Sequence, residues 1–300
     1  MHGLVDDAWA APSNFLGLPA ELSDPEGARF VVVPVPYDGA ASYGVGARFG
    51  PQAILDASRE IELFDDELSH QPCSVGIHTR PSVEPHSGGP EAMAERVEAE
   101  MSSLFAAGQF PVLLGGDHSI TIGAVRAAVE RYPELTLVQI DAHADLRDHY
   151  QSTPYSHACI ARRAADMGAK LVQIGIRSLS QEEADWLGRH PEAITVYARD
   201  LWENLDQADQ AIDAIDGPVY LTFDVDALDP SIMPATGTPE PGGLTWPQTL
   251  ALLRRLCRQG EVIGADIVEL APIPGISAPN VLTAKLAYKL IGYVMTTKRS

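Results

Sequence analysis

The chain has 300 residues, 41 of them Asp or Glu against 21 Lys or Arg, for a formal charge of −20. That balance speaks against nucleic-acid binding and for a soluble surface or one that attracts cationic ligands. Three separated cysteines form no C-x-x-C pair, and no leader or uncharged apolar run of about 18 residues occurs, so a cytoplasmic protein that does not span a membrane is expected.

Residues 1–28, beginning "MHGLVDDAWAAPSNF", read as an N-terminal extension, and 29–300 as a single core. Within the core, "RFVVVPVP" near 29–36 opens a series of short, β-branched apolar runs. The series continues with "FPVLLGG" near 110–116, "LTLVQID" near 135–141, "LVQIGIR" near 171–177, "PVYLTFDVD" near 218–226 and "EVIGADIVEL" near 261–270. Such runs predict strands buried on both faces. Helical spacing intervenes in "PEAMAERVEAEMSSLFAAG", "ITIGAVRAAVERY" and "PQTLALLRRLCRQG". Alternation at crossover length predicts an α/β fold of three layers, helices on both faces of a mostly parallel sheet, with ligands gathered beyond the C-terminal strand ends. The Gly/Pro-rich stretch "VEPHSGGPE" (83–91) is short enough for a surface loop, so one domain is expected.

Acidic and histidine residues collect where those strands end: "GGDHS" with Asp117 and His118, "DAHAD" with Asp141, His143 and Asp145, "DVDALDP" with Asp224 and Asp226, and "VEL" with Glu269. Period-two spacing would project Asp141, His143 and Asp145 the same way from a strand. Carboxylates converging at buried strand ends repel one another unless a cation lies between them, and a pair of divalent ions is the simplest compensation. Carboxylates and imidazoles without thiolates favour Mn2+ over zinc held by sulfur, while other divalent metals tolerate the same donors. Asp117 is set apart, because neighbours on a strand face opposite ways. "GVGARFG" (44–50) lacks the spacing and setting of a dinucleotide fingerprint. "PATGTPEPGG" (234–243) reads as a rim loop of an active site.

"GGDHS", "DAHAD", "SHA", "DVDALDP" and "TGTPEPGGLT", with "SYGVGARFGPQAI" upstream, resemble in order and spacing the motifs of the ureohydrolase family, which includes arginase, agmatinase and formimidoylglutamase. The resemblance implies an arginase-like fold and a binuclear manganese site. His118, Asp141, Asp145 and Asp224 would hold one ion, and Asp141, His143, Asp224 and Asp226 the other. It further implies a proton shuttle at His157, a guanidinium-binding carboxylate at Glu269, Asp145 beside the attacking water, and a homo-oligomer, trimer or hexamer.

The stretch "LRDHYQSTPYSHA" departs from the arginase pattern and resembles bacterial agmatinases. With Asp148 and its neighbours it predicts an acidic rim suited to a small cationic guanidine. Agmatine, giving putrescine and urea in polyamine biosynthesis, is the expected substrate. N1-aminopropylagmatine, giving spermidine, is the close alternative, and arginine or formiminoglutamate are further ones. From another class comes a non-catalytic metal-binding regulatory subunit.

Overall fold

The computed structural model describes residues 12–296; residues 1–11 of the N-terminal extension lie outside the described part. Eight strands form one sheet: β1 (Phe30–Val35), β2 (Ile77–Thr79), β3 (Phe110–Gly115), β4 (Thr136–Ile140), β5 (Lys170–Ile176), β6 (Ile194–Tyr197), β7 (Pro218–Asp224) and β8 (Glu261–Val268). All pairings are parallel, in the order β2-β1-β3-β8-β7-β4-β5-β6.

Eight helices cover it: α1 (Gly50–Ser58), α2 (Pro90–Ala106), α3 (Thr121–Arg131), α4 (Ile160–Asp166), α5 (Gln181–Arg189), α6 (Asp206–Asp213), α7 (Trp246–Gln259) and α8 (Ala278–Thr296). Alternate strand residues serve opposite layers, as the pleat requires. Val32, Val112, Val138 and Phe223 pack in the core that holds α1, α6, α7 and α8 residues, whereas Val31, Leu113, Leu137 and Tyr220 join residues of α2, α3, α4 and α5. Each fully buried aliphatic side chain of this kind stabilises the fold by about 1.5–3 kcal/mol. The three-layer expectation is met.

Two strands escape the apolar-run reading. β2 is three residues long, and β6, at the other edge, is mostly half-buried. An edge strand needs neither length nor two apolar faces. The long helix α8 carries no clear polar stripe, because nearly every residue from Thr283 to Val294 is buried. Among the described residues no helix is long and apolar enough to cross a membrane, and all three cysteines are buried and outside any disulfide.

α8 also buries a charge. Lys289, 4% exposed, donates to Asp65 Oδ1 at 2.9 Å and Glu67 Oε2 at 3.1 Å, and the Tyr293 hydroxyl donates to the same Glu67 oxygen at 2.7 Å. Lys289→Met is expected to lower the unfolding free energy by about 3–5 kcal/mol, read as a lower urea midpoint, because it leaves the buried Asp65 carboxylate without its cation. Burial raises the Glu67 carboxyl, but Tyr293, Arg254 and Lys289 outweigh it and hold the group at about 2. Its stabilisation is therefore present above the unfolded carboxylate range and lost as pH falls toward that lowered value. The variant is expected to show a shallower acid limb in stability against pH.

Candidate metal centre

The sheet order places β3, β8, β7 and β4 side by side, so the four acidic clusters leave adjacent strands at one end of the sheet. At β3, Gly116 lets the chain abut another segment: a Cβ there would lie 1.7 Å from the Tyr37 carbonyl oxygen. Asp117 then turns away from the cluster. Its side chain caps the short turn His118–Ile120, accepting from Ser119 N at 3.0 Å and from Ala40 N at 2.7 Å. The turn aims His118 back over the sheet.

The His118 ring is oriented by two side chains that the sequence reading passed over. Thr222 on β7 donates to Asp266 Oδ1 at 2.5 Å, and its Oγ1 lies 2.7 Å from His118 Nε2. With the threonine proton spent on Asp266, Nε2 carries hydrogen and donates to Thr222. The opposite nitrogen, Nδ1, is buried without a hydrogen-bond partner. It lies 3.1 Å from Asp145 Oδ2, 3.2 Å from Asp141 Oδ2 and 3.5 Å from Asp224 Oδ2. A lone pair aimed at three carboxylates is repulsive unless positive charge sits there: a proton, which against the effect of burial Asp141 and Asp145 favour by raising the imidazole pKa, or a metal ion, for which an imidazole with its other nitrogen hydrogen-bonded is the usual donor.

A second group adjoins the first. His143 Nδ1 is 2.9 Å from Asp226 Oδ2 and 3.7 Å from Asp141 Oδ1. The sets His118, Asp141, Asp224 and Asp141, His143, Asp226 each bring their donor atoms close enough to hold one ion, with Asp141 common to both. The charges confirm the crowding. Burial, together with Asp226, Asp141 and Glu269, pushes the Asp224 carboxyl well above its usual range. Burial and Asp141 raise Asp145 to about 7, and against the effect of burial Asp226 and Asp141 raise His143 to about 12. Divalent cations would relieve the same crowding, so the residues fit a binuclear site.

Strand alternation is not what gathers these groups. β4 ends at Ile140, and Asp145 turns in the left-handed region with φ +50°. The turn is held from beneath by glutamines inside the strands. Gln139 donates from Nε2 to Asp141 Oδ2 at 2.7 Å and, more weakly, to Asp145 Oδ2 at 3.3 Å, while Gln173 donates to Gln139 Oε1 at 2.7 Å. A glutamine inside an otherwise apolar run was the available signal for both.

Above the cluster lies a cavity of about 160 Å³ walled by Ser42, Arg147, Tyr150, His157, Thr238 and Glu269. A larger cavity of about 580 Å³ lies at the opposite ends of β4 and β5 and touches none of the expected site residues. His157 Nδ1 donates to the Ala40 carbonyl at 2.6 Å, so Nε2, 3.2 Å from Ser42 Oγ, is the nitrogen left free to accept. Glu269 has φ +66°; its Oε1 accepts from His118 N at 2.7 Å, and burial with Asp117 nearby raises the carboxyl to about 8.

The expected acidic rim is not there. Asp148 is half exposed and tied to Arg163 at 2.8 Å and to the His149 ring at 2.9 Å, so those side chains, and not the cavity, take up its carboxylate. Tyr155 instead meets Arg126, and the walls are formed by Arg147 and Tyr150, whose guanidinium and ring centroid are 5.1 Å apart.

The family model described as the arginase family matches residues 28–296. The N(1)-aminopropylagmatine ureohydrolase of Synechocystis sp. is 40% identical over 296 residues, 94% of this chain and 96% of that one. The agmatinase of Bacillus subtilis is 31% identical over 275 residues, 90% of this chain and 93% of that one. The crystal structure of agmatine ureohydrolase of Thermoplasma volcanium superposes with a TM-score of 0.83 at 33% identity, covering 90% of this chain and 91% of that one.

Proposed function

Because this chain belongs to the arginase family and is a guanidino hydrolase of that family, we propose that it cleaves N1-aminopropylagmatine to spermidine and urea. The observation carrying the substrate is the 40% identity to the Synechocystis N(1)-aminopropylagmatine ureohydrolase, against 31% to the Bacillus agmatinase. The expected substrate, agmatine, thus yields to its aminopropyl derivative. The reaction class is unchanged, and residues 29–300 are taken as one catalytic core.

His118, Asp141, Asp145 and Asp224 would hold one divalent cation, and Asp141, His143, Asp224 and Asp226 the other, with Mn2+ favoured by the all-oxygen and imidazole donor set. What such a pair supplies is acidified water and stabilisation of developing negative charge. Asp145, facing the cavity, accepts a hydrogen bond from the attacking water. Glu269 keeps one carboxylate oxygen on the His118 main chain and turns the other to the substrate guanidinium, whose charge favours the ionised carboxylate. Water adds to the guanidino carbon, the bond to the alkylated nitrogen breaks, and that nitrogen leaves as the amine. His157 Nε2, free to accept because Nδ1 is committed to Ala40, takes up the proton that the adding water sheds and passes it to the departing nitrogen, and the Ser42 hydroxyl can turn to follow the change. A homo-oligomer in the cytoplasm completes the proposal; sedimentation would give the number of subunits.

Urea release from Mn2+-loaded protein, measured in parallel on N1-aminopropylagmatine, agmatine, arginine and guanidinobutyrate, tests the reading. The aminopropyl compound is expected to exceed agmatine by about tenfold or more in kcat/KM, equivalent to about 1.4 kcal/mol of added transition-state binding. Preference for agmatine would restore the shorter substrate. Preference for a carboxylated guanidine would overturn the reading of the 146–158 loop.

A further inference from the structure

Arg177 leaves the C-terminal end of β5 and is half withdrawn from water, yet it makes no ion pair among the described residues. Its hydrogen bonds go to backbone carbonyls. Nη2 donates to Asp226 O at 2.6 Å, Glu240 O at 2.8 Å and Leu228 O at 3.4 Å; Nε donates to Glu240 O at 3.2 Å. Nη1 donates to Gly175 O at 3.2 Å and Ala227 O at 3.4 Å. A guanidinium in such a setting ordinarily faces a carboxylate or phosphate. Here its planar fork joins three stretches of main chain: the end of β5, the turn after β7 that carries Asp226, and the rim loop 234–243.

The surroundings are shaped to admit it. A Cβ on Gly243 would stand 2.6 Å from Arg177 Nη2 and 2.7 Å from Ala227 O. From the other side Asp229 Oδ2 accepts the amides of Gly242 at 2.9 Å and Gly243 at 3.2 Å. The rim loop is thus fixed by its carbonyl on Arg177 and by its amides on Asp229. Two residues before the clamped Glu240 stands Thr238, which walls the cavity and whose Oγ1 reaches Asp226 Oδ2 at 3.5 Å. One side chain outside the cavity therefore sets both a wall of the cavity and the main chain of a candidate ligand.

We propose that Arg177 is a positioning residue for the hydrolysis, its fork holding the rim loop and Thr238 over the cavity so that the substrate chain is bound in register with the acidic cluster. This rests on the guanidino-hydrolase reading with N1-aminopropylagmatine as substrate. A lysine keeps the charge but offers one donor point in place of a plane, and cannot span the three segments.

The test compares Arg177→Lys and Gly243→Ala with the wild type for steady-state kinetics, bound Mn2+, and amide hydrogen exchange across 234–243. Both variants are expected to raise KM for N1-aminopropylagmatine about tenfold while kcat falls less than about threefold, because a displaced wall weakens binding of the whole chain. Rim-loop exchange is expected to quicken in both, with the bound Mn2+ content unchanged, because Asp226 keeps its own hold, Oδ1 accepting from Ala142 N at 3.1 Å and its amide donating to Asp224 Oδ1 at 2.8 Å. An unchanged KM and unchanged exchange in Arg177→Lys would overturn the proposal, as would a loss confined to kcat. If Arg177→Lys does not fold, Gly243→Ala decides alone by the same criteria. Should the wild type release urea from none of the guanidines, the functional reading fails, whereas rim-loop exchange still tests the clamp.

Discussion

Asp141→Asn is expected to lower urea release by more than about 100-fold, since even outer partners of metal ligands are worth about 10- to 100-fold, and to reduce bound Mn2+ below the two ions per chain expected of the wild type. Asp141 is fully buried and is the carboxylate common to both donor groups. Its two oxygens are already committed on the protein side: Oδ1 accepts from His143 N at 2.6 Å and Oδ2 from Gln139 Nε2 at 2.7 Å. An asparagine removes the charge and turns an NH2 toward one of those donors, so the turn bearing His143 loses its anchor as well. Metal analysis after dialysis reads the first effect. The second reading is thermal: a ligand at about 1,000 times its dissociation constant stabilises the folded state by about 4 kcal/mol. Added Mn2+ should therefore raise the wild-type melting temperature and leave the variant nearly unmoved. A variant with full metal content and full activity would remove Asp141 from the site.

His157→Ala is expected to keep the metal content and to lower kcat by about 100- to 1,000-fold, within the usual range for a positioned acid or base. The separation of the two effects follows from contacts. His157 meets Ala40, Ser42 and, with its ring centroid at 5.7 Å, Tyr150, and it belongs to neither donor group. Burial lowers its pKa, so the imidazole holds its second proton loosely and can release it to a departing amine. Loss of Mn2+ in this variant would show that the ring supports the cluster instead. Unchanged kcat would assign the proton to another group.

The acidic clusters were legible because each follows a run that can only be a buried strand, and a parallel sheet sends every such run to the same end. Several elements were not legible, for different reasons. β6 and β2 lie at the edges of the sheet, where one neighbour suffices and the apolar signature thins. Thr222 and Asp266 appeared as ordinary residues of β7 and β8, since nothing local says that a threonine on one strand meets a carboxylate on the next and thereby fixes the tautomer of His118. Arg177 was read only as the end of "LVQIGIR". Apart from Gly175, its carbonyl partners lie 49 to 63 residues further along the chain.

The rim shows the opposite failure. Asp148 counts as acidic wherever it is placed, and the loop's composition suggested a pocket lined by negative charge. The fold instead pairs Asp148 with Arg163 and His149 and turns Arg147 and Tyr150 inward. Composition gives the charge of a loop, not the direction in which each side chain points.

By itself, then, the sequence determined the alternation of strand and helix, the three-layer order and the identity of the acidic and imidazole groups at the strand ends, because periodicity and residue chemistry are local properties. Only the tertiary structure decided that β3, β8, β7 and β4 stand adjacent and which nitrogen of His118 faces the acidic cluster. Those depend on contacts between segments tens to more than a hundred residues apart, where close packing and the need to satisfy buried polar atoms select one arrangement.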